Sequence, residues 1–255
     1  MAHEFITMTH GDEVATLQLN RPPQNLLTIA MLDEINEALL SLRQWDTLEV
    51  LVVRGNGGTF CEGFDFKEHT QRRVQRFLQV FMRTFETLRL INVISVAAVE
   101  GRAIGAGFEL ALGCNLIVST ETADFALPQI RHGLIPPLAA AILPRVAPRR
   151  KAMEWILTGA PITAARLEHD GVINRLFPRE RFDGYLHEFI AELTDKSAPI
   201  LQLAKRAQYE AYYSAFPEAM AGIQSLYLKE LMALDDAREG ARALREGRKP
   251  VWKHT

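Results

Sequence analysis

GRAIGAGFELALG, residues Gly101 to Gly113, stands where an apolar run should hand over from a strand to a helix. A loop that leaves a buried strand and enters a helix carries unpaired N–H groups at the positive end of the helix dipole, a place suited to an anion or a developing oxyanion. Gly105, Ala106 and Gly107 supply almost no side chain, so a ligand can approach that backbone, and Glu109 follows directly behind. A plainer reading stands beside this one. The glycines can serve tight packing of helix on sheet, with Glu109 an exposed first-turn residue that complements the dipole.

Working outward, strand and helix patterns alternate. FITMTHGDEVATLQLN reads as two strands around His10, Gly11 and Asp12, after which Met31, Ile35, Ala38, Leu39 and Leu42 share a helix face. VLVVRG (Val50–Gly55), NVISVAAVEG (Asn92–Gly101) and NLIVST (Asn115–Thr120) read as buried strands, the second leading directly into the opening stretch. Between the first two, Val74, Phe77, Leu78, Phe81, Phe85 and Leu88 form the stripe of an amphipathic helix. PRRK at Pro148–Lys151 reads as a solvated helix start. Thr163 starts another helix that stops near Gly171, with a short strand before Pro178. Beyond that point the periodicity is helical: Ser197 and Pro199 open one helix, and Pro217 to Leu234 carries apolar residues at helical intervals. The fold class is therefore α/β, a largely parallel sheet covered by helices, in two unequal parts: 1–178 and a helical 179–255.

The whole chain sets bounds. Its 255 residues are 48% hydrophobic and 24% charged with a formal net charge of -2, which gives no electrostatic case for nucleic acid or an anionic membrane as partner. Cys61 and Cys114 lack a CxxC or secretory spacing, and MAHEFITM has no long apolar stretch, so a reducing cytoplasm is the expected location. No metal is expected: HExxH is absent and the histidines show no ligand spacing. GxxxxGK[ST] is absent too. A dinucleotide fingerprint fits poorly, because Leu110 stands where its third glycine should be.

A second backbone-rich loop, GGTFCEGFDFKE (Gly57–Glu68), also follows a buried strand, and two such loops can aim two N–H groups at one oxygen. With these residues the chain resembles the enoyl-CoA hydratase/isomerase, or crotonase, superfamily. The likeness takes in LNRPPQNLLTIAMLDEINEAL, TFCEGFDFKE, VISVAAVEGRAIGAGFELALGCNLIVST, ADFALPQIRHGLIPP, ILTGAPITAARLEHDGVINRLFP and REGRKPVW, in that order. RPPQNLLTIAM and GLIPPLAAAILPR resemble the subgroup that hydrates alicyclic dienoyl-CoA thioesters.

The resemblance implies a crotonase-like spiral of ββα units followed by a C-terminal helical region that builds homotrimers or homohexamers. It implies an acyl-CoA thioester as substrate and no cofactor beyond the coenzyme A it carries. The thioester carbonyl would rest between the peptide N–H groups of Phe64 and Ala106, flanked by Gly63 and Gly105. Glu109 matches the family's first catalytic glutamate. The second should stand at Gln129, twenty positions on, where an amide replaces the carboxyl. An amide orients water but cannot exchange a proton as a carboxyl does. Three readings follow: a one-carboxylate hydratase or double-bond isomerase using Glu109, a hydratase whose acid has moved to His132, Glu62 or Asp65, or a CoA-binding subunit without turnover. Lys67 and Lys249 are the candidate contacts for the CoA phosphates. Phe64, Phe66, Leu134, Leu138 and Trp155 are the candidates for the acyl pocket.

Overall fold

The computed structural model describes residues 3–45 and 47–255. Strands β1 (Ile6–His10) and β2 (Val14–Leu19) pair antiparallel around Gly11, whose N–H donates to Val14 O across 2.9 Å. Helix α1 (Ile29–Ser41) starts at Thr28, whose hydroxyl accepts from Met31 N–H, and buries Met31, Leu32, Ile35, Ala38 and Leu39. β3 (Val50–Gly55) runs parallel to β2. α2 (Val74–Leu90) turns Phe77, Val80, Phe81, Phe85 and Leu88 inward, and Asn36 of α1 donates to Thr84 of α2. β4 (Ile94–Val99) then lies parallel to β3.

The opening stretch departs from a direct strand-to-helix handover. Its first half is a short strand, β5 (Arg102–Ile104), and α3 (Ala106–Leu112) follows after the single residue Gly105. β6 (Leu116–Thr120) returns to the main sheet beside β4, whereas β7 (Asp124–Ala126) pairs with β5. α4 (Pro137–Val146) begins at its second proline, α5 (Arg149–Thr158) at the exposed PRRK segment. β8 (Ile162–Thr163), α6 (Ala164–His169), capped by Thr163, and β9 (Arg175–Phe177) complete the core.

Among the described residues the strands form a main sheet of order β1-β2-β3-β4-β6-β9 and a small sheet of order β5-β7-β8. Strands of two or three residues carry too little pattern to be read in advance, which is why the small sheet is absent from the sequence reading. The main strands are continuous apolar runs because both faces are covered. Leu51, Val53, Ala97 and Val99 face the large core with α1, α2 and α3; Val50, Val52, Val96 and Ala98 face Phe182, Leu186 and Ile190 of α7 (Phe182–Thr194). The helical third thus begins by closing the second face of the sheet.

α8 (Ala198–Tyr213) sends Lys205 into the interior, where its ammonium donates to Leu88 O, Ile91 O and Val93 O at 3.0, 2.9 and 2.9 Å. It thereby caps the C-terminal end of α2. α9 (Phe216–Lys229) is shorter than its apolar spacing implies: the chain breaks at Glu230 into a 3₁₀ turn, Leu231–Ala233, and α10 (Asp235–Glu246) starts on two acidic residues that suit a helix N-terminus. The last residues fold back along α10, where Glu239 binds Arg248 and Val251 N–H, and Asp236 accepts from the N–H groups of Lys253 and His254. No helix among the described residues is long and apolar enough to cross a membrane.

Candidate active site

Two loops at the C-terminal ends of parallel strands make the site. The first leaves β3 and is stapled from outside by Asn25, whose amide donates to Asn56 O, Thr59 O and Phe60 O. Cys61 bridges to Ala103, with Cys61 N–H on Arg102 O at 3.0 Å and Ile104 N–H on Cys61 O at 2.9 Å. Further on, Leu27 bridges to Phe64: Leu27 N–H donates to Gly63 O and Asp65 N–H donates to Leu27 O, both at 2.9 Å. In a parallel bridge of this kind the N–H of the middle residue points the other way. Phe64 N–H therefore faces away from Leu27, and it has no acceptor among the described residues.

The second loop holds the matching donor. Gly105 N–H donates to Ala126 O at 2.8 Å, and Gly105 itself adopts φ 55 and ψ -122, a conformation that residues with a Cβ avoid. Ala106 is the first residue of α3, so its N–H has no partner within the helix. Gly107 presses on the first loop so closely that a Cβ there would lie 2.0 Å from Cys61 O. The backbone of the first loop and the N-terminus of α3 are thus in direct contact.

Glu109 lies one turn into α3 and is 1% exposed, so the plainer reading of an exposed first-turn residue does not hold. Its Oε1 accepts from Leu138 N–H at 2.7 Å and Ala139 N–H at 3.0 Å, and its Oε2 accepts from the Gln129 amide at 3.0 Å. Three donors favour the anion and burial opposes it. Burial wins and pushes the carboxyl up to about 7. Gln129, on the 3₁₀ turn Pro128–His132, is 6% exposed, and its own Oε1 is buried without a partner among the described residues.

The remaining candidates divide. Glu62 pairs with Arg102 at 2.6 Å. Asp65 pairs with Arg21 at 3.0 Å and caps the turn Phe66–Glu68; Lys67 N–H and Arg21 hold its carboxyl below the usual range. Both carboxylates anchor the first loop to its neighbours. His132 is exposed, stands edge-on to Phe66 at 5.5 Å, and makes no hydrogen bond to Glu109 or Gln129. Phe64 in turn touches Phe66 and Phe77 at 5.0 and 5.2 Å, so a wall of rings links the first loop to the Gln129 turn. Leu134 is half-buried beyond that turn, while Leu138 and Trp155 belong to the core. Lys67 is exposed on the first loop; Lys249 is exposed on the tail, whose hydrogen bonds run to α10, Asp195 and Ala198 and not to that loop. Ala139, and the backbone part of Leu138, which was named only as an acyl-pocket candidate, were not read from the sequence, because both act through peptide N–H groups of a distant helix.

A groove of about 1610 Å³ between α2, α4 and α8 is lined by neither Glu109, Gln129, Phe64 nor Ala106; of the residues that hydrogen-bond Glu109 it shares Leu138.

The chain matches the family model described as enoyl-CoA hydratase/isomerase over residues 9–255. It is 29% identical over 257 residues, the full length of both chains, to a probable enoyl-CoA hydratase of Mycobacterium tuberculosis. Among solved structures it resembles an enoyl-CoA hydratase of Mycobacterium smegmatis with a TM-score of 0.93 at 26% identity, covering 99% of this chain and 100% of that one. Human enoyl-CoA hydratase domain-containing protein 3 follows with a TM-score of 0.91 at 26% identity, covering 98% and 100%.

Proposed function

The chain belongs to the enoyl-CoA hydratase/isomerase family, and on that footing we propose that it adds water reversibly across the double bond of an enoyl-CoA thioester with Glu109 as its one acid–base carboxyl. The observation that carries this is the buried pair of Glu109 and Gln129 beside two unpaired N–H groups. Phe64 and Ala106 N–H hold the thioester oxygen as negative charge builds on it, an effect worth roughly 3 kcal/mol per donor in comparable sites. Water gives one proton to Glu109 Oε2 while its oxygen bonds to the β-carbon, and the double-bond electrons move onto the thioester as an enolate. Glu109 then returns that proton to the α-carbon, so one carboxyl completes the addition. Gln129 Oε1, a buried acceptor without a partner, supports hydration, because a water with two O–H groups can meet it and Glu109 together.

Double-bond migration is the second reading. It needs a single carboxyl to carry a proton between two carbons and no water at all, and the amide at Gln129 is compatible with that. The ring wall of Phe64, Phe66 and His132 supports a flat acyl group such as a cyclic dienoyl. Lys67, exposed on the first loop, is our candidate contact for a CoA phosphate. For the assembly we read a homotrimer or its dimer, supported by the exposed Phe216, Tyr227, Leu228 and Leu244 of the helical third; a monomer across micromolar concentrations in light scattering would count against it.

The test is incubation with linear and cyclic enoyl-CoA thioesters in ¹⁸O-labelled water, followed by mass spectrometry. Labelled 3-hydroxyacyl products are expected. Unlabelled positional isomers would favour migration, and thioester binding without any product would favour the subunit that has lost turnover.

A further inference from the structure

We infer that the first turn of α4 belongs to the acid–base apparatus: Leu138 and Ala139 are positioning residues whose N–H groups fix Glu109 Oε1, which leaves Oε2 as the oxygen that exchanges the proton. The inference rests on the reading of Glu109 as the catalytic carboxyl. Every helix begins with N–H groups that have no intrahelical acceptor, and a polar side chain at the preceding position normally meets them. Here that position is Pro136, which has no side-chain acceptor, and the first helical residue is Pro137, which has no N–H to offer. The two donors left over, on Leu138 and Ala139, are met at 2.7 and 3.0 Å by one oxygen of Glu109, while Ala140 N–H returns to Pro136 O. Glu109 is therefore the missing cap of α4, supplied from another helix.

This arrangement makes the two carboxylate oxygens unequal. Oε1 accepts two peptide N–H groups and sits on the axis of α4, where the dipole favours negative charge. Oε2 accepts only the Gln129 amide, whose own Oε1 is a buried, unpartnered acceptor on the same side. A proton placed on Oε1 would cost a donor bond; a proton on Oε2 meets an amide that can turn to accept it. The tether also fixes the carboxylate plane, because two donors on consecutive residues leave one rotation. Leu138 is buried in the large core and also borders the groove between α2, α4 and α8.

The charged and titratable groups around Glu109 do not compete with this account. On the Gln129 turn, Arg131 donates to Thr158 O and His132 lies against Phe66. On α4, Arg145 lies nearly two turns beyond Ala139 and faces Tyr212. On the first loop, Glu62 and Asp65 are paired with arginines. The groups that set the Glu109 carboxyl are its burial and the N–H donors of Ala139, Leu138 and Gln129.

Ala139→Pro deletes one donor in the first helical turn, where proline is tolerated. An ester in place of the peptide between residues 138 and 139 deletes the same N–H without a ring and serves if the proline variant does not fold. The readout is the Glu109 carboxyl titration by ¹³C NMR with selective glutamate labelling, alongside the pH profile of kcat. Loss of the donor should raise the midpoint by about one pH unit, and the acid limb of kcat should move with it while KM changes little. Ala139→Gly, which keeps the N–H, should keep the wild-type midpoint. A midpoint that stays put in the folded ester variant overturns the inference. A midpoint that moves in a protein without turnover on any enoyl thioester upholds the clamp and overturns the enzymatic reading instead.

Discussion

Gln129 donates its side-chain amide to Oε2 of Glu109 across 3.0 Å, so the position at which the family resemblance calls for a second carboxyl holds a hydrogen-bond donor to the first. Glu109→Gln keeps the shape and removes proton exchange. Turnover should fall by about 10²- to 10⁴-fold while thioester binding, measured by calorimetry, persists, because the proposed oxyanion donors belong to the main chain. Wild-type rates in this variant would rule out Glu109 as the acid–base group.

The same carboxyl predicts a pH dependence of two kinds. The base form is the anion, so kcat/KM should rise through an acid limb near 7. Stability runs the other way. The folded-state pKa is raised from 4.5 to about 7, so folding favours the protonated form, and that contribution is lost as pH rises through this interval. Glu109→Gln should therefore exceed the wild type in stability at pH 8 by on the order of 3 kcal/mol, with the gap closing toward pH 5. Chemical denaturation at several pH values measures it.

Gln129→Glu places two carboxyls in hydrogen-bond contact, and like charges that close do not both ionise readily. The pair should titrate in two steps, one of them above 7, and hydration of a simple enoyl-CoA should increase. A rate below wild type with the pair titrating as expected would show that Gln129 acts as an acceptor for water and not as a lost acid.

Gly107→Ala drives a Cβ to 2.0 Å from Cys61 O, a main-chain atom that cannot yield without parting α3 from the first loop. A loss of about 3 kcal/mol or more is expected, seen as a lower Tm or insolubility. Gly184→Ala, in α7 with open space around it, should gain up to about 1 kcal/mol in the same assay.

Lys205→Met removes the ammonium that meets three carbonyls and leaves them buried without donors. The expected loss is roughly 3 to 5 kcal/mol. Burial holds this lysine down from 10.5 to about 8, so above pH 8 the unfolded chain binds more protons than the folded one, and wild-type stability should rise relative to the variant as pH climbs from about 8 toward 10.5. Thermal unfolding between pH 7 and 9.5 reads both.

The main sheet was legible because its strands are long apolar runs: VLVVRG and ISVAAV announce burial on both faces. The small sheet was not, since Arg102–Ile104 and Ile162–Thr163 are too short to carry a period. At the site, side chains were readable and backbone was only partly so. GAGFE marked Ala106 and Glu109, whereas α4, which opens at Pro137, is a separate element far along the chain. That this helix would aim its first N–H groups at Glu109 depends on a contact across 29 and 30 positions, which no local pattern encodes. The break after Lys229 was missed for a different reason: the apolar spacing continues through Leu231 and Met232 although the chain turns.

The direct contact of Gly107 with the carbonyl of Cys61 also bears on how such a site diversifies. The groups proposed to stabilise charge are main-chain atoms held by a glycine that no other residue can replace in place, so random substitution at 107 is a dead end. The side chains at 64, 66 and 132 carry none of that duty. A combinatorial library confined to those three positions would explore new acyl groups while every member keeps the same oxyanion donors, which makes this corner of the fold a natural starting point for directed evolution of substrate range.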